Sequence, residues 1–442
     1  MVSNRWAVAV LALAGALPAG AGEPPAGTHA LVGARIVVAP GRTLPAATLV
    51  VRDGVIVAVG SNVAPPADAR LWSLEGKTLY PGLIDAWVPR AWPEEKEGEA
   101  PQGAHPNPLV RPERDAVTRL RDEKQWRALR AAGFTTALVV PEGGVLRGRG
   151  AVANLGDDPR ASLVARDAVQ AVRLEVPRGQ NDHYPESLMG VVALFRQTML
   201  DARWHRQAHA AYRANPAQSR PRFDASLSAL EAAAHGEATI AFECDNVLDA
   251  VRARRLADEL GLKAWLVGSG EEYQRLAELG ERPLPIVLPV AFPERPDVGT
   301  EGDDLSVTLE DLRHWDAAPA NPARLAEASI TFALTSYRQK EPKKFWGAVA
   351  KAVASGLTPD TALAALTRTP AELLGLSGRA GTLEPGKMAN LVVVDGELFV
   401  AEPKIEAVWI DGRHYLNEPD DDGKGKKGDR KGPDSGLEEA GR

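Results

Sequence analysis

At 442 residues, 44% of them hydrophobic and 25% charged, the chain is long enough to bury one large core and to leave material for a smaller second unit. A formal net charge of -7 excludes the concentrated basic face that nucleic-acid binders use, so no nucleic-acid partner is expected. The single cysteine, Cys244, excludes an internal disulfide.

Arg5 precedes the apolar run WAVAVLALAGAL, and Ala19 to Ala21 offer small residues for cleavage, so residues 1–21 read as a secretory signal peptide. The run falls short of the roughly 20 residues that span a bilayer. The expected protein is periplasmic or secreted, with no membrane span once the signal is removed. Residues 28–80 carry two apolar strands, HALVGARIVVAP and ATLVVRDGVIVAVG, the second turning at Asp53-Gly54, a dipeptide that favours a tight hairpin. This segment is expected to be the N-terminal part of a small β-sandwich.

Over residues 81–376 short apolar strands alternate with helices, the pattern of parallel βα units. AVTRLRDEKQWRALRAAG is read as a helix stopped by Gly133, with FTTALVV as the strand that follows. ATIAFEC, KAWLVGS, PIVLPVA and ITFALTS are further strands, and NVLDAVRARRLADELG and EEYQRLAELG are helices with glycine stops. No glycine-rich dinucleotide turn follows the first strand, which favours a (β/α)₈ TIM-like barrel over an open doubly wound sheet. In TPDTALAALTRTPAELLGL, Thr358 reads as a helix cap with Pro359 in the first turn. Residues 377–416 return to strands, expected to complete a composite β-sandwich from both chain ends. Residues 417–442 are charged and glycine-rich and read as a disordered tail.

Three motifs, PGLIDAWVP at the first barrel strand, RAAGFTT from Arg130 to Thr136, and LTRTPAELLGLSGRAGTLEPGKMANLVVVD from Leu366 to Asp395, give the chain its resemblance to a known family. It resembles the amidohydrolase superfamily, in its imidazolonepropionase-like and prolidase-like branch. The resemblance implies a barrel with a composite sandwich, most members hydrolysing amide or other C–N bonds with one or two divalent metals. It also implies a His-x-His pair at positions held here by Trp87 and Pro89. Indole N–H only donates and proline has no side-chain lone pair, so neither binds a metal.

The family's fifth-strand histidine falls near Glu243, Cys244 and Asp245, its sixth-strand histidine near Val267 or Gly268, and its eighth-strand aspartate at Tyr337. A metal lowers the pKa of its bound water from about 15.7 to about 7, a gain that disappears with its ligands. The expectation is a degenerate amidohydrolase, a pseudoenzyme with no cofactor, acting as a binding or partner protein. Trp87 and Tyr337 would line a pocket for a small molecule or peptide. The alternative is an active hydrolase of C–N bonds with a rebuilt site, holding one divalent metal such as zinc or working without one. By analogy with the family's oligomers, a homo-oligomer or a complex with an active amidohydrolase is a third reading.

Glu243 and Asp245 could hold a metal or serve as acid and base, and Cys244 could be a nucleophile; the plainer reading is a strand end with Asp245 or Asn246 capping the next helix. Among the 8 histidines only His205 and His209 share a helix face, and Arg206 stands where a zinc-protease motif needs glutamate. From Arg203 to Arg222 five arginines occur without an acidic residue, readable as an anion site or, more plainly, a solvated face. Gly143 to Gly150 is expected to be a turn rather than an anion-wrapping loop.

Overall fold

The computed structural model describes residues 27–417 except 94–101, 121, 158–161, 177–183, 281, 298, 300–301, 303–306, 340 and 342–343. The expected signal peptide and all of the expected tail beyond Asn417 lie outside the described residues. No described helix is long and apolar enough to cross a membrane.

Eight strands form a nearly closed barrel: β6 (Leu83–Arg90), β7 (Phe134–Pro141), β8 (Leu146–Asn154), β9 (Leu163–Arg173), β10 (Ile240–Glu243), β11 (Ala264–Val267), β12 (Ile286–Pro289) and β13 (Phe332–Thr335). Neighbours pair in parallel except β8, which runs antiparallel to both β7 and β9. The TIM-like expectation therefore holds with one reversed strand. That strand corrects the reading of Gly143–Gly150: only Gly143 and Gly144 make the turn, at φ +93 and +88, and pairing begins at Leu146. The glycines beyond the turn serve close packing, since a Cβ on Gly148 would lie 2.6 Å from the Arg114 carbonyl oxygen.

Residues along the strands alternate between two cores. On β11, Trp265 and Val267 face the lumen with Trp87, Leu138, Val169 and Val287, whereas Ala264 and Leu266 face the helix layer. Ala371, Leu374, Leu376 and Ala380 pack into the lumen alongside Val164 and Ala165, where β9 begins, and so plug that end.

The helix signals operate locally. Helix α1 (Glu123–Ala131) is capped by Asp122, and α4 (Val247–Leu260) by the Asn246 side chain accepting from Asp249 N at 3.0 Å, with Gly261 left-handed at its end. Asn246, not Asp245, is the cap. Thr358 caps Pro359–Leu366 as expected, but a second helix, Arg368–Leu373, follows separately. EEYQRLAELG is not continuous either: it divides into a turn at Glu272–Gln274 and a helix at Leu276–Gly280, because the buried Glu272 carboxylate turns back onto the N–H groups of Ser269 and Gly270. Between β9 and β10 stand the long helix α2 (Leu188–Ala214) and α3 (Ala225–Ala234).

The second sheet joins both chain ends, in the order β16-β15-β14-β5-β1-β2-β3 with β4 on β1. Its members are β1 (Thr28–Ala39), β2 (Arg42–Arg52), β3 (Val55–Gly60), β4 (Ala69–Ser73), β5 (Lys77–Pro81), β14 (Leu391–Asp395), β15 (Lys404–Ile410) and β16 (Arg413–Leu416). The seam is the antiparallel pair β5–β14, from Lys77 opposite Asp395 to Pro81 opposite Leu391. The turns at Asp53-Gly54 (φ 52 and 79) and Asp411-Gly412 (φ 51 and 76) take the left-handed pair that two-residue hairpins require.

Candidate functional site at the barrel mouth

The C-terminal ends of the parallel strands form the mouth, where barrel proteins carry their chemistry. Glu243 is the last residue of β10, and alternation sends it inward from Ala241 while Cys244 turns toward the helix layer. Its side chain is fully buried. Glu243 Oε2 accepts from Arg147 Nη1 at 2.7 Å, and Oε1 accepts from the Tyr337 hydroxyl at 2.9 Å. Arg173 Nη1 stands 3.4 Å from Oε1. The Arg147 and Glu243 side chains are 4% and 0% exposed, so this pair is shielded from water.

The pairing continues outward. Arg173 holds Asp245 Oδ2 through Nε at 3.0 Å and Nη2 at 2.6 Å, and also meets Glu175 at 2.7 Å. Arg338 reaches Asp245 Oδ1 at 3.0 Å and the Cys244 carbonyl at 2.8 Å, its guanidinium lying 5.4 Å from the centre of the Tyr337 ring. Three guanidinium groups and their carboxylates thus form one ladder from β8 and β9 across β10 to the segment after β13. Burial, reinforced by the Glu243 carboxylate, pushes the Tyr337 hydroxyl up to about 12. It remains a neutral donor at ordinary pH.

Beneath this ladder the lumen is filled. Trp87 is 0% exposed and packs edge-on against Trp265, ring centroids 5.8 Å apart. Asp85 beside it is buried too, accepting from the hydroxyls of Thr335 and Ser336 and from the N–H groups of Ser336 and Trp87. Thr335 Oγ1 also reaches the Trp87 carbonyl at 3.2 Å, so these bonds tie β13 to β6 where the barrel closes. Burial raises the Asp85 carboxyl pKa.

The expected site residues therefore separate. Glu243, Asp245 and Tyr337 come together at the mouth; Trp87 lies in the packed lumen, with Pro89 partly buried two residues on. Cys244 is buried with its thiol donating to the Phe242 carbonyl at 3.5 Å, and burial, assisted by nearby carboxylates, pushes that thiol well up. It has neither the exposure nor the stabilised thiolate of a nucleophile. His205 Nδ1 lies 2.7 Å from Glu231 Oε1 and ties α2 to α3, with the His209 ring 4.3 Å away. The basic stretch is partly engaged: Arg203 donates to the Ala234 and Leu260 carbonyls, and Arg206 pairs with Glu237.

The donor set does not fit a divalent metal. No barrel strand contains a histidine, both mouth carboxylates are held by guanidinium groups, and among the described residues no cluster of three or more His, Cys, Asp or Glu side chains could hold a metal ion. Arg147, Arg173 and Arg338 are the site residues missed in the sequence reading. The available signal was Arg147 within LRGRG, a long cation in a glycine-rich stretch.

Residues 342–415 match the family described as the amidohydrolase family. Over 58 residues the chain is 48% identical to an N-acetylglucosamine-6-phosphate deacetylase of Danio rerio, covering 13% of this chain and 14% of that protein. Over 59 residues it is 37% identical to a putative N-acetylgalactosamine-6-phosphate deacetylase of Escherichia coli strain K12, covering 13% of this chain and 32% of that protein. The matched segments thus span less than a third of these curated relatives. Among solved structures, an amidohydrolase from Thermotoga maritima MSB8 superposes with a TM-score of 0.71 at 22% identity, over 88% of this chain and 100% of that chain. A prolidase complexed with n-methylphosphonate-l-proline superposes with a TM-score of 0.52 at 14% identity, over 88% and 100% of the two chains. Across its described length the chain shares the fold of these amidohydrolase structures, and over residues 342–415 its sequence matches the amidohydrolase family.

Proposed function

We propose that this protein is an exported binding protein built on an amidohydrolase scaffold, without metal-dependent hydrolysis. The observation that carries the reading is the buried Arg147–Glu243 pair: the inward carboxylate at the end of the fifth strand already has a cation from its own chain. A second cation there would meet a guanidinium at 2.7 Å from its ligand, and displacing Arg147 would leave that group in a site shielded from water. The filled lumen beneath, with Trp87 against Trp265, supports the same reading.

The ligand is a small molecule or peptide received at the mouth, where Tyr337 and Arg338 keep partial exposure. Export rests on the N-terminal signal pattern ending near Ala21. The alternative, a hydrolase of C–N bonds, must recruit Glu243, Cys244 or Asp245, each of which is already paired or buried.

The test combines elemental analysis of the purified protein with a hydrolysis screen of N-acyl amino acids and dipeptides, with and without added zinc. The expected result is no stoichiometric metal, no turnover and a melting temperature unchanged by chelator. Stoichiometric zinc together with turnover lost in Glu243→Gln would replace this reading with the hydrolase. Expression with residues 1–21 intact, followed by fractionation, tests export: protein retained in the cytoplasm with its leader uncut would remove that part.

A further inference from the structure

At the barrel end opposite the mouth, a cavity of about 310 Å³ opens between the β8–β9 hairpin and the second sheet. Its walls include the apolar side chains of Leu163, Met388 and Ile410, and its charged groups are Arg379, Arg413, Asp411 and the exposed Asp53. The Asp411 carboxylate is fixed in place. Thr136 Oγ1 and Asn390 Nδ2 donate to Asn154 Oδ1 at 2.8 and 3.0 Å, Asn154 Nδ2 donates to Asp411 Oδ1 at 2.7 Å, and Asp411 N donates to Asn390 Oδ1 at 2.8 Å. The backbone there has no slack either, since a Cβ on Gly54 would lie 2.8 Å from the Asp411 carbonyl oxygen.

The two arginines differ from those of the mouth. Among the described residues, Arg379 spends one N–H on the Val164 carbonyl at 3.1 Å, and the Arg413 side chain has no hydrogen-bond partner; neither forms an ion pair. Both are near enough to act on the Asp411 carboxyl, whose rise through burial they oppose. Asp411 Oδ2 likewise has no partner among the described residues. A simple anion would be drawn to the guanidinium groups and repelled by Asp411, and a simple cation would meet the reverse. A molecule carrying an ammonium and a carboxylate on one carbon satisfies Arg379, Arg413 and Asp411, with the exposed Asp53 adding a second carboxylate on the side of the ammonium, and the apolar wall adds contact area in a volume of the size that small-ligand pockets have.

We propose that this cavity binds a free apolar α-amino acid, its carboxylate against Arg379 and Arg413, its ammonium against Asp411 and its side chain on the apolar wall. The site is independent of whatever the mouth binds.

Titration calorimetry on the purified protein, with L-leucine as the probe, tests the assignment against two analogues: 4-methylpentanoate, which lacks the ammonium, and 3-methylbutylamine, which lacks the carboxylate. Leucine should bind saturably, and each analogue at least about tenfold more weakly, as expected when charge-assisted hydrogen bonds to the ligand are lost. Arg413→Gln should weaken leucine about tenfold with the melting temperature unchanged. Asp411→Asn, which keeps an acceptor for Asn154, should abolish the preference for leucine over 4-methylpentanoate. Absence of saturable leucine binding, or equal binding of leucine and both analogues, would overturn the proposal. So would binding that survives Arg413→Gln and is lost in Tyr337→Phe, which would place the amino acid at the mouth.

Discussion

The two ends of the barrel carry similar charged groups and use them in opposite ways. At the mouth, Arg147, Arg173 and Arg338 each meet a carboxylate, from Glu243 inside to Asp245 at the rim. At the junction with the second sheet, Arg379 and Arg413 stand near Asp411 without pairing with it. A guanidinium already matched by its own chain contributes to conformation and gains little from an incoming anion. One held near a carboxylate but not on it keeps its donors available. The charges of a site therefore say less about binding than the distances between them, and substitutions at the two ends should separate stability from affinity.

The largest effect is expected from Arg147→Ala. It leaves Glu243 buried with only Tyr337 and the longer Arg173 contact, which should cost about 3–5 kcal/mol in denaturant unfolding, as removal of one partner from a buried pair does. Replacing both partners, Arg147→Met with Glu243→Leu, should recover most of that loss. A double variant as unstable as the single one would mean that the pair is not what holds the mouth.

A smaller effect, about 1–2 kcal/mol at neutral pH, is expected from Tyr337→Phe, which removes one hydrogen bond to the Glu243 carboxylate. The same residue has a signature in alkali. Its hydroxyl titrates near 10 when unfolded and at about 12 when folded, so its contribution is fully present below pH 10 and is lost as pH rises through 12. The difference between wild type and Tyr337→Phe in unfolding free energy should therefore narrow between pH 10 and 12. A constant difference across that range would show that the hydroxyl does not donate to Glu243.

The smallest effect belongs to the other end. Arg413→Gln should change unfolding free energy by less than about 0.5 kcal/mol, because the side chain has no hydrogen-bond or ion-pair partner to lose among the described residues. A loss comparable to that of Arg147→Ala would erase the contrast between the two ends.

Much of the architecture was legible because its signals are local. Asp53-Gly54 made the hairpin its dipeptide favours, Asn246 and Gly261 bounded α4, and Thr358 with Pro359 opened the helix that follows. The alternation of strands and helices indicated a barrel. The reversed strand β8 was hidden because glycine at 143, 144, 148 and 150 suggests a turn, while its pairing depends on β7 and β9 on either side. The break at Glu272 was hidden for a related reason: a glutamate in a helical pattern gives no sign that its carboxylate will be buried and turned back onto the preceding loop.

The candidate site divides in the same way. Sequence alone was enough to put Glu243 and Tyr337 at or beside strand ends of a barrel and to show that no histidine occupies its strands, but Trp87, expected at a strand end, lies within β6, which runs on to Arg90. Which face each takes follows from strand alternation, but what it meets there does not. Arg147 and Glu243 are 96 residues apart, and only barrel closure brings them to 2.7 Å. Among the described residues Arg379 and Arg413 gained no such partner, although nothing in their local sequence distinguishes them from the arginines that did. Backbone geometry and capping act over a few residues and can be read along the chain, whereas the pairing of a buried charge is decided by residues brought close only when the whole barrel and sheet assemble.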